Sequence, residues 1–197
     1  VLTVGANSPL KSLADLTAAA KANPGKLNYP SSGTGGPNHM GGELYAIQSK
    51  VKVTHVPYKG SAPADVDLVA GQIDFLTDTI NSVMAFVKDR RMKLLAVTTA
   101  KRMSLFPEVP TLAETVMPGF EAGAWQGLMV PAGTPAAVVQ RLNAEVNKAL
   151  QSADMRDKLA VQGAEPLGST PEEYGAYVRK ELARWATVVK ATGVTLE

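Results

Sequence analysis

The chain has 197 residues, 45% of them hydrophobic and 19% charged, with a formal net charge of +2 and no cysteine. That length buries a core as one large domain or two small ones, and interspersed charge of this size argues against a nucleic-acid face. The missing thiols exclude disulfide scaffolds, cysteine nucleophiles and cysteine-bound metals, and no apolar run approaches the roughly 20 residues of a membrane span.

The opening "VLTVGANSPLKSL" has neither a basic start nor a long apolar block, and it lacks an initiator Met, so a processed or truncated chain is expected. Ser12 opens a helix over "SLADLTAAAKANPG", with Asp15 as its capping-box partner and Pro24-Gly25 as the stop. "KLNYP" reads as a strand, followed by the loop "SSGTGGPN" and a helix from about Pro37 to Ser49. "VKVTHVPY" alternates Val51, Val53 and His55 against Lys52 and Thr54, then turns at Lys59-Gly60. Ser61 and Pro63 start a helix ending near Gly71; "IDFLTD" is a short strand, "SVMAFVKDR" a helix and "MKLLAVTT" another strand. This alternation predicts an α/β domain with a mainly parallel sheet.

Three prolines between Pro107 and Pro118 then break regular structure. "GAWQGLMVPAGTP" reads as a strand leaving the first unit, and Thr134-Pro135 caps a helix to about Gln151. In that helix Ala137, Val138, Leu142, Val146 and Leu150 fall near helical spacing. "DMRDKLAVQG" is a shorter helix, and Thr170-Pro171-Glu172-Glu173 opens a third that runs to about Ala191. A boundary is placed between Phe120 and Pro131. The part beyond it has almost no strand of its own, so its helices must cover a sheet supplied elsewhere.

The loop after the first of these strands is the main functional candidate. A glycine-rich turn ahead of a helix exposes backbone N–H groups where the helix dipole is positive, which suits a carboxylate, phosphate or sulfate. Gly33, Gly35 and Gly36 permit close approach, while Ser31, Ser32 and Thr34 add hydroxyls. A turn that merely connects strand and helix fits the same residues. No Gly-Lys-Ser/Thr ends the loop as in a Walker motif, Asn38 stands where a dinucleotide fingerprint wants Gly or Ala, and no Gly-x-Ser-x-Gly elbow occurs.

His39 and Glu43 lie four apart on one helix face, where His39 either binds a ligand or hydrogen-bonds the loop backbone. A third metal ligand is not evident, and His55 sits on a separate strand. Asp78 and Thr79 follow the "IDFLT" strand, so Asp78 either caps the next helix or holds a polar ligand group. Tyr58 and Lys59 end another strand, in a cleft or in a solvated turn. In open α/β sheets ligands sit beyond the carboxyl ends of the strands, and all three segments follow strands. Nucleophile, base and orienting acid are nowhere assembled, which favours a binding module over an enzyme.

"ANPGKLNYPSSGTGGPNHMGGELY", "VTHVPYKGSAPADVDLVAGQIDF", "LLAVTTAKR", "FPEVPTLAE" and "GLMVPAGTP" resemble, in this order, the Bug-type periplasmic receptors of tripartite tricarboxylate transporters. The similarity continues through "LNAEVNKAL" and "GAEPLGSTPEEY", so it covers nearly the whole chain. It implies a two-lobed, hinged fold of the type II periplasmic-binding-protein kind, with no cofactor. The implied ligand is a small organic acid: a di- or tricarboxylate, an aromatic carboxylate or an amino acid. The implied partners are membrane transporter subunits, and the implied location is the periplasm.

The resemblance places Ser31 to Asn38 against a ligand carboxylate and Asp78 in the cleft. It also implies roughly 100 further residues at the start of family members, about one domain's worth. On that basis residues 1–124 correspond to the second, ligand-binding lobe. Residues 125–197 correspond to a hinge strand and the C-terminal helices that complete the first lobe. Gly36-Pro37 replaces hydroxyl-bearing residues common in the family, and Pro37 removes one backbone donor.

Ligand binding by the lone lobe is then expected to be weak, because half a cleft loses both donors and desolvation. Other readings are the effector-sensing domain of a transcription regulator, or a small hydrolase or transferase. The missing DNA-binding helices oppose the first, and the absence of an assembled triad opposes the second. An uncovered stripe of Leu142, Val146 and Leu150 predicts self-association into a homodimer. Light scattering at high concentration checks this, and a clean monomer counts against it.

Overall fold

The structure, a computed structural model, describes residues 1–115 and 117–194. Two compact units emerge: Val1–Ala124 with Val188–Glu197, and Trp125–Thr187.

The first unit alternates strand and helix as β1 (Leu2–Gly5), α1 (Leu13–Ala22), β2 (Asn28–Ser31), α2 (Pro37–Ser49), β3 (Thr54–Pro57) and α3 (Ser61–Val69). It continues with β4 (Leu76–Thr77), α4 (Ile80–Lys88), β5 (Met92–Ala96) and the single turn α5 (Leu112–Thr115). β2 and β3 pair in parallel, with Tyr29 opposite His55 and Ser31 opposite Pro57. β1 lies between β4 and β5 and runs antiparallel to both. The N–H groups of Asp74 and Phe75 donate to the Asn28 carbonyl, tying the approach to β4 onto β2.

β1 departs from the expected alternation, both in existing and in its direction. "LTVG" is too short to show a period. Its sheet neighbours are β4 and β5 rather than the next strand in sequence, so the rule that sets successive crossover strands parallel does not act on it.

The helices form where their sequence signals lie. Ser12 accepts from the Asp15 N–H at 3.1 Å, while the Asp15 carboxylate reaches back to the Lys11 N–H, satisfying two donors at the α1 start. α2 has Pro37 at its first position and ends on Lys50 in the left-handed region. One cluster, including Leu68, Leu76, Val83, Met92 and Val97, fills a side of the core, and the buried rings of Tyr29, Tyr45 and Phe75 pack together elsewhere.

α2 comes very close to β2. A Cβ added at Gly42 would stand 2.3 Å from the Tyr29 ring, so only glycine allows this approach. At Gly5 the same atom would meet the Leu68 carbonyl oxygen at 2.7 Å, which brings α3 equally tightly onto β1.

The second unit holds α6 (Ala136–Gln151), α7 (Ala153–Val161) and most of α8 (Pro171–Thr192). Thr170 and Glu173 form a reciprocal capping box at the α8 start, as predicted. Thr134 does not cap α6: its hydroxyl donates to the Pro131 carbonyl at 2.8 Å. The strand expected over "GAWQGLMVPAGTP" is absent. Residues 121–131 pair with no strand among the described residues, and Leu128 and Met129 stay 75% and 70% exposed. An apolar, β-prone segment becomes a strand only when a ladder partner accepts its backbone. α6 and α7 bury no residue, and Val138 and Leu142 of the predicted stripe are exposed.

Replacing Gly42 by Ala should force the Tyr29 ring or α2 to move. A loss of about 1–3 kcal/mol is expected, typical of overpacking a tight core. Urea unfolding measures it, and an unchanged midpoint would show that the contact relaxes freely.

Candidate functional site

Three loops that follow strands meet at one edge of the first unit. The parallel register brings the ends of β2 and β3 together, and the Tyr58 N–H donates to the Ser31 carbonyl at 2.9 Å. The Thr77 hydroxyl at the end of β4 donates to the Asn38 carbonyl at 2.7 Å, joining β4 to the first turn of α2. The Ser31–Gly36 segment, Tyr58 and Asp78-Thr79 are thereby gathered.

Within the first loop most polar groups serve the loop itself. Gly33 N–H donates to the Ser31 hydroxyl at 3.2 Å, and Gly36 N–H to the Gly33 carbonyl at 3.3 Å. The Ser31 hydroxyl donates to the Gly33 carbonyl at 3.0 Å and lies 2.6 Å from His55 Nε2. Gly35, at φ +78°, turns its N–H onto His39 Nδ1 at 3.0 Å. The three loop glycines are thus internal struts rather than open donors. What remains without a protein partner among the described residues is the N–H groups of Ser32, Thr34, Asn38 and His39 and the Thr34 hydroxyl. The last two of those N–H groups are unpaired because they start a helix.

Asn38 adds a donor that loop chemistry alone does not reveal. Its residue is only 7% exposed, its Oδ1 accepts from the Ser32 hydroxyl at 2.9 Å, and its buried Nδ2 has no partner. Turning the amide over would exchange which end is unpartnered without satisfying both. An unsatisfied buried amide costs about 1–3 kcal/mol, which an arriving acceptor would recover.

His39 performs the backbone-bonding role open to it in the sequence. It is 4% exposed, and its ring stacks on His55 at 3.8 Å between centroids. Tyr29 lies against both rings and donates its hydroxyl to Glu43. Burial pushes His39 below its usual range, against the pull of Glu43 3.8 Å away. Burial, followed by the neighbouring His39, takes His55 down to about 4. Burial, with the Glu43 bond adding to it, also drives the Tyr29 phenol well above its ordinary value. His55 was read only as a strand residue. The signal that would have found it is the pairing that sets it opposite Tyr29.

The other two loops are also partly engaged. Tyr58 donates to Asp67 at 2.6 Å, and that bond raises its pKa to about 12. Thr79, not Asp78, occupies the position before α4. Asp78 Oδ1 accepts from the Thr79 N–H at 2.6 Å, and its other oxygen is buried without a partner. Asp65 on α3 is 3% exposed with one orphaned oxygen, and burial, then the Asp78 charge, raises it to about 7. Among the described residues no set of three or more His, Asp or Glu side chains is placed to hold a metal ion.

The loop is thus uncharged and stands at a helix start with spare N–H donors and a spare Thr34 hydroxyl. Residues 1–194 match the family described as tripartite tricarboxylate transporter family receptor. The chain belongs to that family. A Pseudomonas sp. (strain P51) protein from the tcbD-tcbE intergenic region is 40% identical over 96% of the chain and 56% of its own length. Protein BugT of Bordetella pertussis is 34% identical over 100% of the chain and 60% of its own length. The receptor chain therefore spans somewhat under two thirds of these relatives.

Among solved structures, an R. palustris protein with adipate superposes with a TM-score of 0.87 at 37% identity, over 99% of this chain and 65% of that one. MatC from Rhodopseudomonas palustris with bound malate gives 0.79 at 33% identity, over 96% and 65%. The periplasmic binding protein BugD gives 0.81 at 30% identity, over 100% and 66%. The chain has the α/β fold of the periplasmic binding proteins.

The raised Asp65 yields a signed expectation. The folded state holds this proton to higher pH than the ordinary 3.8, so its stabilising contribution is complete below about 3.8 and lost as pH rises through 7. Asp65→Asn should therefore be more stable than wild type at pH 8, with the gain shrinking toward pH 5. Urea unfolding at both pH values tests this, and a pH-independent difference would sink it.

Proposed function

We propose that the receptor captures a small organic carboxylate outside the cytoplasm and presents it to the membrane subunits of a tripartite tricarboxylate transporter. The observation that carries this reading is the α2 start: unpaired N–H groups beside a buried, unpartnered Asn38 amide. A helix start adds about half a positive charge to those donors, so a carboxylate is held without a formal cation. The relatives solved with adipate and malate hold molecules of the same chemical class.

In this reading the ligand is met by Ser32, Thr34 and the first turn of α2, with Ser31, Gly33, Gly35, Gly36 and His39 shaping the loop. Tyr58, Asp78 and Thr79 line the adjoining rim. Asp78 brings an unpartnered carboxylate oxygen. Close to a bound dicarboxylate that oxygen favours ligands carrying a donor, a hydroxyl or an ammonium, over plain diacids. Residues 1–124 act as the ligand-gripping lobe, and residues 125–197 serve to complete a first lobe. Binding and release involve no chemistry on the ligand, so the receptor is not an enzyme. Its place of work is the periplasm.

Thermal shift of the receptor against adipate, malate and related acids tests the proposal. Binding at about a hundredfold over Kd adds about 2.7 kcal/mol, a rise of several degrees. The shift should be lost in Ser32→Ala and in Asn38→Ala. A panel without any shift at millimolar acid, or a shift indifferent to both changes, counts against it.

A further inference from the structure

The loop that receives the anion is held by two histidines on different elements, and they do different jobs. His39 Nδ1 must be an acceptor, because the partner at 3.0 Å is the Gly35 backbone N–H, which can only donate. The ring proton then sits on Nε2, toward Glu43. His55 Nε2 faces the Ser31 hydroxyl at 2.6 Å. That hydroxyl also lies 3.0 Å from the Gly33 carbonyl, and which of Ser31 and His55 donates follows from the His55 tautomer. The His39 bond therefore needs a neutral ring.

We propose that His39 is a positioning residue of the carboxylate loop, with His55 as the stacked backing that holds its ring in place. The neutral ring turns the Gly35 N–H inward, which fixes the left-handed turn at Gly35. The N–H groups of Thr34 and Asn38 on either side are then presented to the anion. A proton on Nδ1 removes the only acceptor for the Gly35 N–H and sets two donors against each other. The 3.8 Å stack sharpens this, since a charge on one ring opposes a charge on the other. Ligand affinity thus falls on acidification through loss of loop geometry, not through titration of the ligand.

The titratable groups against the pair are Glu43 on α2 and Tyr29 on β2. The Tyr29 hydroxyl bonds Glu43, which keeps that carboxylate in place beside His39. On the neighbouring elements Asp65 of α3 and Asp78 after β4 also carry carboxyls, and neither bonds either ring. The shifts of both imidazoles are downward, so the neutral pair holds at and above the usual histidine range and is lost below it.

This inference rests on the carboxylate reading of the loop, and its test separates the two. Ring-proton and amide NMR from pH 8 down to about 3, past the lowered range of both rings, follows His39, His55 and the Gly35 N–H without any ligand. The Gly35 amide should move with the His39 titration. An amide that stays still while His39 titrates overturns the proposal. Adipate binding by calorimetry provides the second readout. Wild-type affinity should fall about tenfold per pH unit once His39 titrates.

His39→Phe keeps a ring to stack but has no acceptor, and should bind adipate at least tenfold more weakly at pH 7.5. His39→Gln offers a carbonyl acceptor that does not titrate, so it should recover part of that loss with affinity no longer following pH. Wild-type-like binding by His39→Phe overturns the proposal. If His39→Phe fails to fold, the His39→Gln pH profile and the wild-type amide titration decide. Absence of binding by adipate, malate and the related acids alike, with a Gly35 amide that follows His39, would count against the carboxylate function and leave the positioning role supported.

Discussion

Tyr29 stands where α2 comes closest to the sheet, and the geometry of the site follows from that approach. Its ring is fully buried against the backbone of Gly42, stacks on Phe75 and lies against both imidazoles. With a side chain at position 42 the helix would ride further out. His39, one turn earlier, would then leave both His55 and the Gly35 N–H. A packing constraint between apolar surfaces thus sets the position of polar groups at the helix start. The dense interior transmits it because it cannot deform gradually.

The polarity of the loop follows from what it lacks. No Lys or Arg lies between Ser31 and Ser49, so any anion there is met by neutral donors and the helix dipole. Each hydrogen bond to a charged acceptor contributes about 1.5–3 kcal/mol, and several aligned donors equal one buried ion pair. They do so without the cost of desolvating a cation, which often cancels the gain of a buried pair. Neutral donors also release the ligand when their geometry is lost, whereas a fixed cation keeps its attraction in any conformation.

Elements with strong local signals were legible. The capping boxes at Ser12-Asp15 and Thr170-Glu173, the Pro37 helix start and the glycine loop all lie where sequence chemistry put them, because each depends on residues a few positions apart. What could not be read depends on partners distant in sequence. β1 is four residues whose neighbours are some 70 to 90 positions away. The segment 121–131 has the composition of a strand, yet it joins no strand among the described residues, although the Ala122 N–H donates to the Thr98 carbonyl at 2.8 Å. The sequence leaves the loop open as an anion site or a connecting turn, and its glycines, which permit close approach, serve as braces. His55 and the Asn38 amide escaped notice because one enters through strand register and the other through burial.

The second unit is held together by short-range interactions. α6 and α7 carry surface ion pairs at helical spacing, Arg141–Glu145 and Asp154–Lys158, each contributing about 0.3–0.5 kcal/mol. The capping box before α8 adds about 1 kcal/mol. Isolated helices of this length are marginal in water, and most helical stability comes from burying an apolar face. Trp125 packs edge-on against Tyr174 and Tyr177, and the Asn143 and Asn147 amides hold the Ser169 carbonyl, but Val138 and Leu142 stay in solvent. α6 and α7 bury no residue. The loop around His39, by contrast, is braced by hydrogen bonds from within the first unit.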